Sequence, residues 1–464
     1  MHRKNAWEQY DESKLAKVRK FTAEYTDFLS ACKTERECVA WGVKFAKEMG
    51  FSDLAELVKA GKKLKPGDKV YYDWMGKDLM AFVIGKKPME KGMNLLGAHI
   101  DSPRVDVKQN PLYEDEGIAY LDTHYYGGIK KYQWVAIPLA LHGVIVTREG
   151  KKITIAIGEK DEDPVFCFSD LLIHLAQDQM SKKASEVIEA EALNLIVGGQ
   201  PLKDTEKDAV KANILALLKE QLGIEEEDLL SAEIEIVPAG KARDLGFDRS
   251  MILGYGHDDR ICAYPSLRAV TDFKGTPEYT ICAILTDKEE IGSVGATGMN
   301  SNFFENTVAE LLSLTEDSYS ELTLRRCLRN SRMLSSDVSA GFDPNFAGVF
   351  EKKNAAILGK GVCFNKFTGR GGKGGSNDAN AEFMAEVRRI ADDAGVDFQT
   401  AELGKVDVGG GGTIAYMCAK YGMNVIDAGI AVLSMHAPWE IAAKCDIWEA
   451  YQAYKAFVKD AKEI

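Results

Sequence analysis

Five short segments of the chain each end an apolar run with a side chain able to bind a metal. They are Ala98-His99-Ile100-Asp101-Ser102-Pro103, Gly256-His257-Asp258-Asp259-Arg260, Thr286-Asp287-Lys288-Glu289-Glu290-Ile291-Gly292, Ser335-Ser336-Asp337 and Ser434-Met435-His436-Ala437. A lone His or Asp at a strand end is ordinarily structural. The joint pattern carries the argument, because open α/β sheets collect their ligands at the carboxyl ends of the strands. Imidazole plus carboxylate is a donor set for zinc, cobalt or manganese, whereas thiolates mark structural zinc. Two divalent ions about 3.5–4 Å apart need a bridging carboxylate and further His, Asp or Glu ligands. Adjacent Glu289 and Glu290 leave an extended chain on opposite sides, so one can ligate while the other serves as a base. Histidine is scarce, only His2, His99, His124, His142, His174, His257 and His436, so any constellation using it draws on these seven.

The elements that must position these groups follow from periodicity. Trp7 to Phe28 and Glu35 to Met49 have helical apolar spacing. Met93 to Ala98 reads as a buried strand delivering His99 at its end. From about 106 to 248 the texture turns β-rich, with strands at Val144–Val146, Ile153–Ile157, Leu193–Val197 and Glu233–Val237, and one helical stretch from Asp208 to Leu222. After Gly256 the α/β pattern returns, with strands at Tyr279–Leu285, Met333–Asp337 and Asn424–Ala428. Ala309–Leu328 reads as at least partly helical, and helices are expected at Asn380–Ala394 and Ile441–Ala461. The fold class is therefore α/β, a mixed-sheet α/β/α catalytic domain (1–105 and 249–464) interrupted by an inserted β-rich domain (106–248). The glycine-rich stretches 369–375 and 409–412 lack the Lys-Ser/Thr or GxGxxG context of a phosphate cradle and read as active-site or interface loops.

Of the 464 residues, 45% are hydrophobic and 28% charged, and the formal net charge is −13. That is an ordinary globular balance, and it offers no basic stripe for nucleic acid or for an anionic membrane. No apolar run reaches the ~20 residues that span a bilayer, and the N-terminal residues lack a signal-peptide core. The expected location is the cytoplasm. The nine scattered cysteines, without a CxxC pair, read as reduced and buried thiols.

Taken together, the segments AHIDSPRVDVKQNPLY, YYGG, LLIHL, DDRICAYPSL, TDKEEIGSVGATG, SSDVSAGFDPNF, DVGGGGTI and SMHAPWEIAAKCDIWEAYQAYKAF resemble, in order over roughly residues 95–460, the aspartyl aminopeptidase / aminopeptidase I family of dinuclear zinc metallopeptidases. The resemblance implies a role for each residue. His99 and Asp337 would bind one ion, Glu290 and His436 the other, and Asp258 would bridge them. Asp101 would orient His99 through its other ring nitrogen. Glu289 would be the general base, and His174 would reach a neighbouring subunit's site. His257 is read as local packing or as support for the adjacent bridging Asp258, and His124 and His142 as structural. The cofactor implied is two divalent ions per subunit, zinc first, with cobalt or manganese as alternatives. The partners implied are peptides with a free N-terminus and further copies of the chain, in a tetrahedral dodecamer built from dimers.

Acid-selective members place a lysine after a short apolar stretch, followed by a Gln-Arg-Tyr-Ala type segment. Lys366 is the candidate substrate-binding cation here, but the Gln-Arg-Tyr segment is absent, which opens the preference to neutral as well as acidic N-terminal residues. The competing readings are a related glutamyl or leucyl aminopeptidase of the tetrahedral type, and a non-catalytic shell or cargo protein. The latter predicts a missing ligand or base, and none is missing.

Overall fold

The computed structural model describes residues 4–463, so His2 lies outside the described residues. The chain divides into two units. The first comprises the residues up to Asp101, Ala242–Met435, and those from Glu440 on; the second comprises Ser102–Lys241 with His436–Trp439. The expected boundary at 105/106 falls inside a strand, and that at 248/249 in the turn of a hairpin. Arg104–Asp115 is one continuous strand of the second unit's sheet, and Arg243–Leu245 forms a hairpin with Met251–Gly254 in the first.

The first unit is built on a nine-stranded mixed sheet. At its centre, Met93–His99 lies parallel to both Thr280–Thr286 and Arg332–Ser335. All three strands are buried along their whole length, as parallel strands covered on both faces must be. Successive side chains alternate between two cores. Leu96, Ala98, Ala283 and Leu334 pack on one face with Phe21, Tyr264 and Tyr454. Leu95, Ile284 and Met333 pack on the other with Phe304, Leu311 and Leu328. The result is α/β/α layering. The helices Glu12–Ala31, Glu35–Glu48, His257–Thr271, Ala381–Asp393 and Lys444–Asp460 contribute to the first face, while Phe303–Thr315 and Glu321–Asn330 contribute to the second.

Two helical expectations are corrected by local chemistry. Trp7 belongs to a separate 3₁₀ turn, Ala6–Gln9, because Asp11 accepts the Lys14 N–H and starts the helix at Glu12. Ile441 lies in the strand Glu440–Ala443, paired with Met251–Gly254 and Ala431–Leu433, and the closing helix begins at Lys444.

The second unit carries a six-stranded sheet in which every pairing is antiparallel, flanked by the helix Ala209–Leu222. Eight of the nine free cysteines are buried, and Cys167 is partly so. No helix among the described residues is long and apolar enough to cross a membrane.

Candidate metal centre

Register brings the predicted segments together. Thr286 is paired with His99, and Ser335 with Gly97, so these parallel strands end at one edge of the sheet. The segments leaving that edge carry Asp101, Glu289, Glu290 and Asp337. Gly429, on the neighbouring strand, permits the last of these to pass: a Cβ there would overlap the Asp337 carbonyl. Asp258 arrives from the start of the helix His257–Thr271. There Asp258 and Asp259 keep non-helical dihedrals and share a cis peptide bond.

His99, Asp258 and Asp337 each offer a ligand atom, all within 4.8 Å of one another. An Asp258 oxygen lies equally close to a Glu290 oxygen, which gives Asp258 the place of a carboxylate shared between two positions. His99 and Asp258 are buried, while Asp337 and Glu290 are partly exposed.

The hydrogen-bond network orients these groups. His99 Nδ1 meets the Asp101 carbonyl at 3.0 Å, which makes Nδ1 the protonated nitrogen and leaves the Nε2 lone pair facing Asp258 Oδ1 at 3.1 Å. The Asp101 carboxylate was expected to orient His99. It stands 3.3 Å from Nδ1, and it also accepts the backbone N–H groups of Glu289 and Glu290 at 3.1 and 3.2 Å. His436 has a left-handed φ of 66°. Its Nδ1 donates to the Gly128 carbonyl at 3.0 Å, so its Nε2 likewise keeps the lone pair.

Electrostatics distinguishes this group from a satisfied polar core. Burial pushes the Asp337 carboxyl up, and the facing charges of Glu289, Asp258 and Asp427 push it further, against the pull of His99. Burial, then Asp337, does the same to Asp259. Burial pulls the His99 imidazole down, but hydrogen bonds to Asp101 and Asp258 outweigh it and hold the ring above its usual range. Crowded carboxylates around an imidazole repel one another unless a cation sits among them. The donors are imidazole and carboxylate with no thiolate, a set that fits zinc, cobalt or manganese.

The remaining predicted residues lie elsewhere. His174 is exposed in the 3₁₀ turn Ile173–Leu175 of the second unit. Lys366 follows the strand Val362–Asn365, which runs antiparallel to Asn424–Gly429 with Asn365 paired to Asp427, itself paired to Ser335. Three strand spacings, about 14 Å, and three residues of rise, about 10 Å, therefore separate Lys366 from His99. Its ammonium is paired with Asp378, which also takes Lys373. The structure does not bring Lys366 to the cluster. His257 is a packed core residue: Nδ1 accepts from Tyr25 Oη at 2.7 Å, and burial holds the ring neutral with a pKa of about 3.

Sequence reasoning passed over Glu440 and Asp427. Glu440 accepts the Asp258 N–H at 3.0 Å, and Asp427 is buried beside Ser335, accepting from Thr413 Oγ1 at 2.7 Å. Asp427 was detectable by the rule that found Asp337, being an acid set into the apolar strand Asn-Val-Ile-Asp-Ala-Gly.

The aminopeptidase I zinc metalloprotease (M18) family matches residues 28–458. A probable M18 family aminopeptidase 1 of Clostridium acetobutylicum is 58% identical over 458 residues, 98% of each chain. A probable M18 family aminopeptidase 1 of Thermotoga maritima is 46% identical over 99% of each. The crystal structure of aminopeptidase I from Clostridium acetobutylicum superposes with a TM-score of 0.92 at 56% identity, covering 99% of this chain and 100% of that one. That of the Thermotoga maritima M18 aminopeptidase gives 0.94 at 45% identity, with the same coverage.

Proposed function

The chain belongs to the M18 family of aminopeptidase I zinc metalloproteases, and from that premise we propose that it removes single N-terminal residues from peptides at a dinuclear centre held by His99, Asp258, Glu290, Asp337 and His436. The observation that carries this reading is Asp258, whose carboxylate has an oxygen within 4.8 Å of donor atoms of the His99–Asp337 pair and of Glu290.

Two bound divalent ions would supply polarisation of the scissile carbonyl and a water of lowered pKa. Glu289 takes the proton of that water on its carboxylate and returns it to the leaving amine. Asp101 fixes the turn from which Glu289 leaves. The free α-amine of the substrate is held by the carboxylates of the site, which restricts cleavage to the first residue. Zinc is the proposed native ion.

The proposed preference covers acidic and neutral N-terminal residues. Lys366, paired to Asp378, is not available as an unpaired cation for acidic ones. His174 is proposed to act in a neighbouring subunit's site, within a homo-oligomer built from dimers into a tetrahedral dodecamer. The exposed run Leu171, Leu172, Ile173, Leu175 and Met180 supports burial against another copy. The proposed location is the cytoplasm.

The test is the initial rate on Asp, Glu, Leu, Met and Lys nitroanilides and an N-acetylated control, each with and without chelator. Chelator-sensitive release from free-amine substrates alone is expected. Cleavage of the acetylated control, or no cleavage with zinc, cobalt or manganese added, would overturn the reading.

A further inference from the structure

Glu289 leaves a loop whose closure depends on the residue before it. Lys288 has a φ of 67°, a left-handed conformation unfavourable to any residue with a Cβ. Its side chain folds back onto the loop and is partly buried. The ammonium donates to Asp287 Oδ2 and to Thr297 Oγ1, each at 2.5 Å, and Thr297 Oγ1 donates in turn to Asp287 Oδ2 at 2.7 Å. Three side chains thus form a closed ring across the two ends of the loop.

The ring stands on fixed backbone. The Asp287 N–H donates to the buried Asp78 carboxylate at 2.9 Å, and Asp287 bridges to Gly298. The Lys288 carbonyl accepts from Ser293 N at 2.6 Å and Ile291 N at 3.3 Å. A Cβ on Gly298 would overlap the Ser293 carbonyl, and Trp74 Nε1 holds the Ala296 carbonyl at 2.9 Å. Glu289 therefore has a held neighbour on either side: Lys288 through its ammonium, and Glu290 through its N–H on Asp101.

We propose that Lys288, clamped between Asp287 and Thr297, is a positioning residue that sets the direction in which the loop presents Glu289. This rests on the reading of Glu289 as the general base. Lys288 would act through its backbone, by fixing the dihedrals at the residue before the base. A base held on a closed ring keeps its carboxylate within reach of the attacking water, whereas one on an open loop samples directions in which proton transfer fails.

The experiment compares Lys288→Met, Thr297→Val, their double variant, Thr297→Ser and Glu289→Gln. It reads kcat, KM, bound metal per chain and melting temperature. Lys288→Met and Thr297→Val are each expected to lower kcat about tenfold or more, with KM within about threefold and metal content unchanged. The double variant is expected to be no worse than the weaker single, since both open one ring. Thr297→Ser, which keeps the hydroxyl, is expected to restore kcat. Wild-type kcat in Lys288→Met overturns the proposal, as does a Thr297→Ser loss equal to that of Thr297→Val, or a kcat loss that only follows loss of metal. If Glu289→Gln keeps full kcat, the base reading itself falls and the positioning role with it. If Glu289→Gln is inactive while Lys288→Met is fully active, only the positioning role falls.

Discussion

The carboxylate of Asp101 accepts the backbone N–H of Glu289 at 3.1 Å. The same buried side chain takes the Glu290 N–H and stands beside His99 Nδ1, so it ties the proposed base, one proposed ligand and the imidazole into a single arrangement. Asp101→Asn replaces one acceptor oxygen with a donor that must face an N–H, leaving a buried donor unmatched. We expect kcat to fall by about tenfold to hundredfold, with the fold retained by circular dichroism. An unchanged kcat would show that the turn holds without this carboxylate.

Removal of metal should destabilise the protein as well as inactivate it. Without a cation, the neighbouring carboxylates of Asp258 and Asp337 repel each other. A ligand that binds only the native state raises stability by mass action. Chelated protein is expected to melt several degrees lower than protein resupplied with zinc. Equal melting temperatures, by calorimetry at matched pH, would count against a bound ion at this site.

Asp446 gives a pH dependence away from the metal centre. It is buried, accepts the N–H groups of Gly359 and Gly361 at 2.7 Å each, and burial raises its carboxyl to about 7 from an ordinary 3.8. The native state therefore keeps a proton that the unfolded chain releases. The resulting stability is full below the unfolded value and is lost as pH rises through about 7, on the order of 4 kcal/mol in all. Asp446→Asn should lower stability at every pH, because one glycine N–H loses its acceptor, and should flatten this slope. Denaturant melts between about pH 5 and 8 test it; an equally steep slope in the variant would assign the dependence elsewhere.

Lys366→Met should leave specificity nearly unchanged. The register sets it about three strand spacings and three residues from His99, and its ammonium is paired with Asp378. The ratio of kcat/KM on Asp- and Leu-nitroanilide is expected to move by less than about threefold. A selective loss of activity on the Asp substrate would restore Lys366 as the recognising cation.

The sequence by itself determined the chemistry available. The apolar run ending at His99 was legible as a buried strand, and those of Tyr279–Leu285 and Met333–Asp337 as strands of the same α/β pattern, because strands covered on both faces are apolar throughout. A loop that departs from such a strand end can hold polar residues, which is why Asp101, Glu289, Glu290 and Asp337 were legible as candidates. The β-rich texture of 106–248 was legible too, but the antiparallel direction of its pairings was not.

The tertiary structure decided distances and pairings. Only the register of three non-adjacent segments shows that they end at one edge and bring His99, Asp258 and Asp337 within 4.8 Å. Only the antiparallel run of Val362–Asn365 carries Lys366 away from that edge; the spacing along the chain is the same for either strand direction. The clamp of Lys288 on Thr297 and the N–H groups held by Asp101 and Glu440 are likewise contacts between residues far apart or in unusual dihedrals. Periodicity reports which face a side chain takes, not what it meets there, because the partner is fixed by packing of the whole chain.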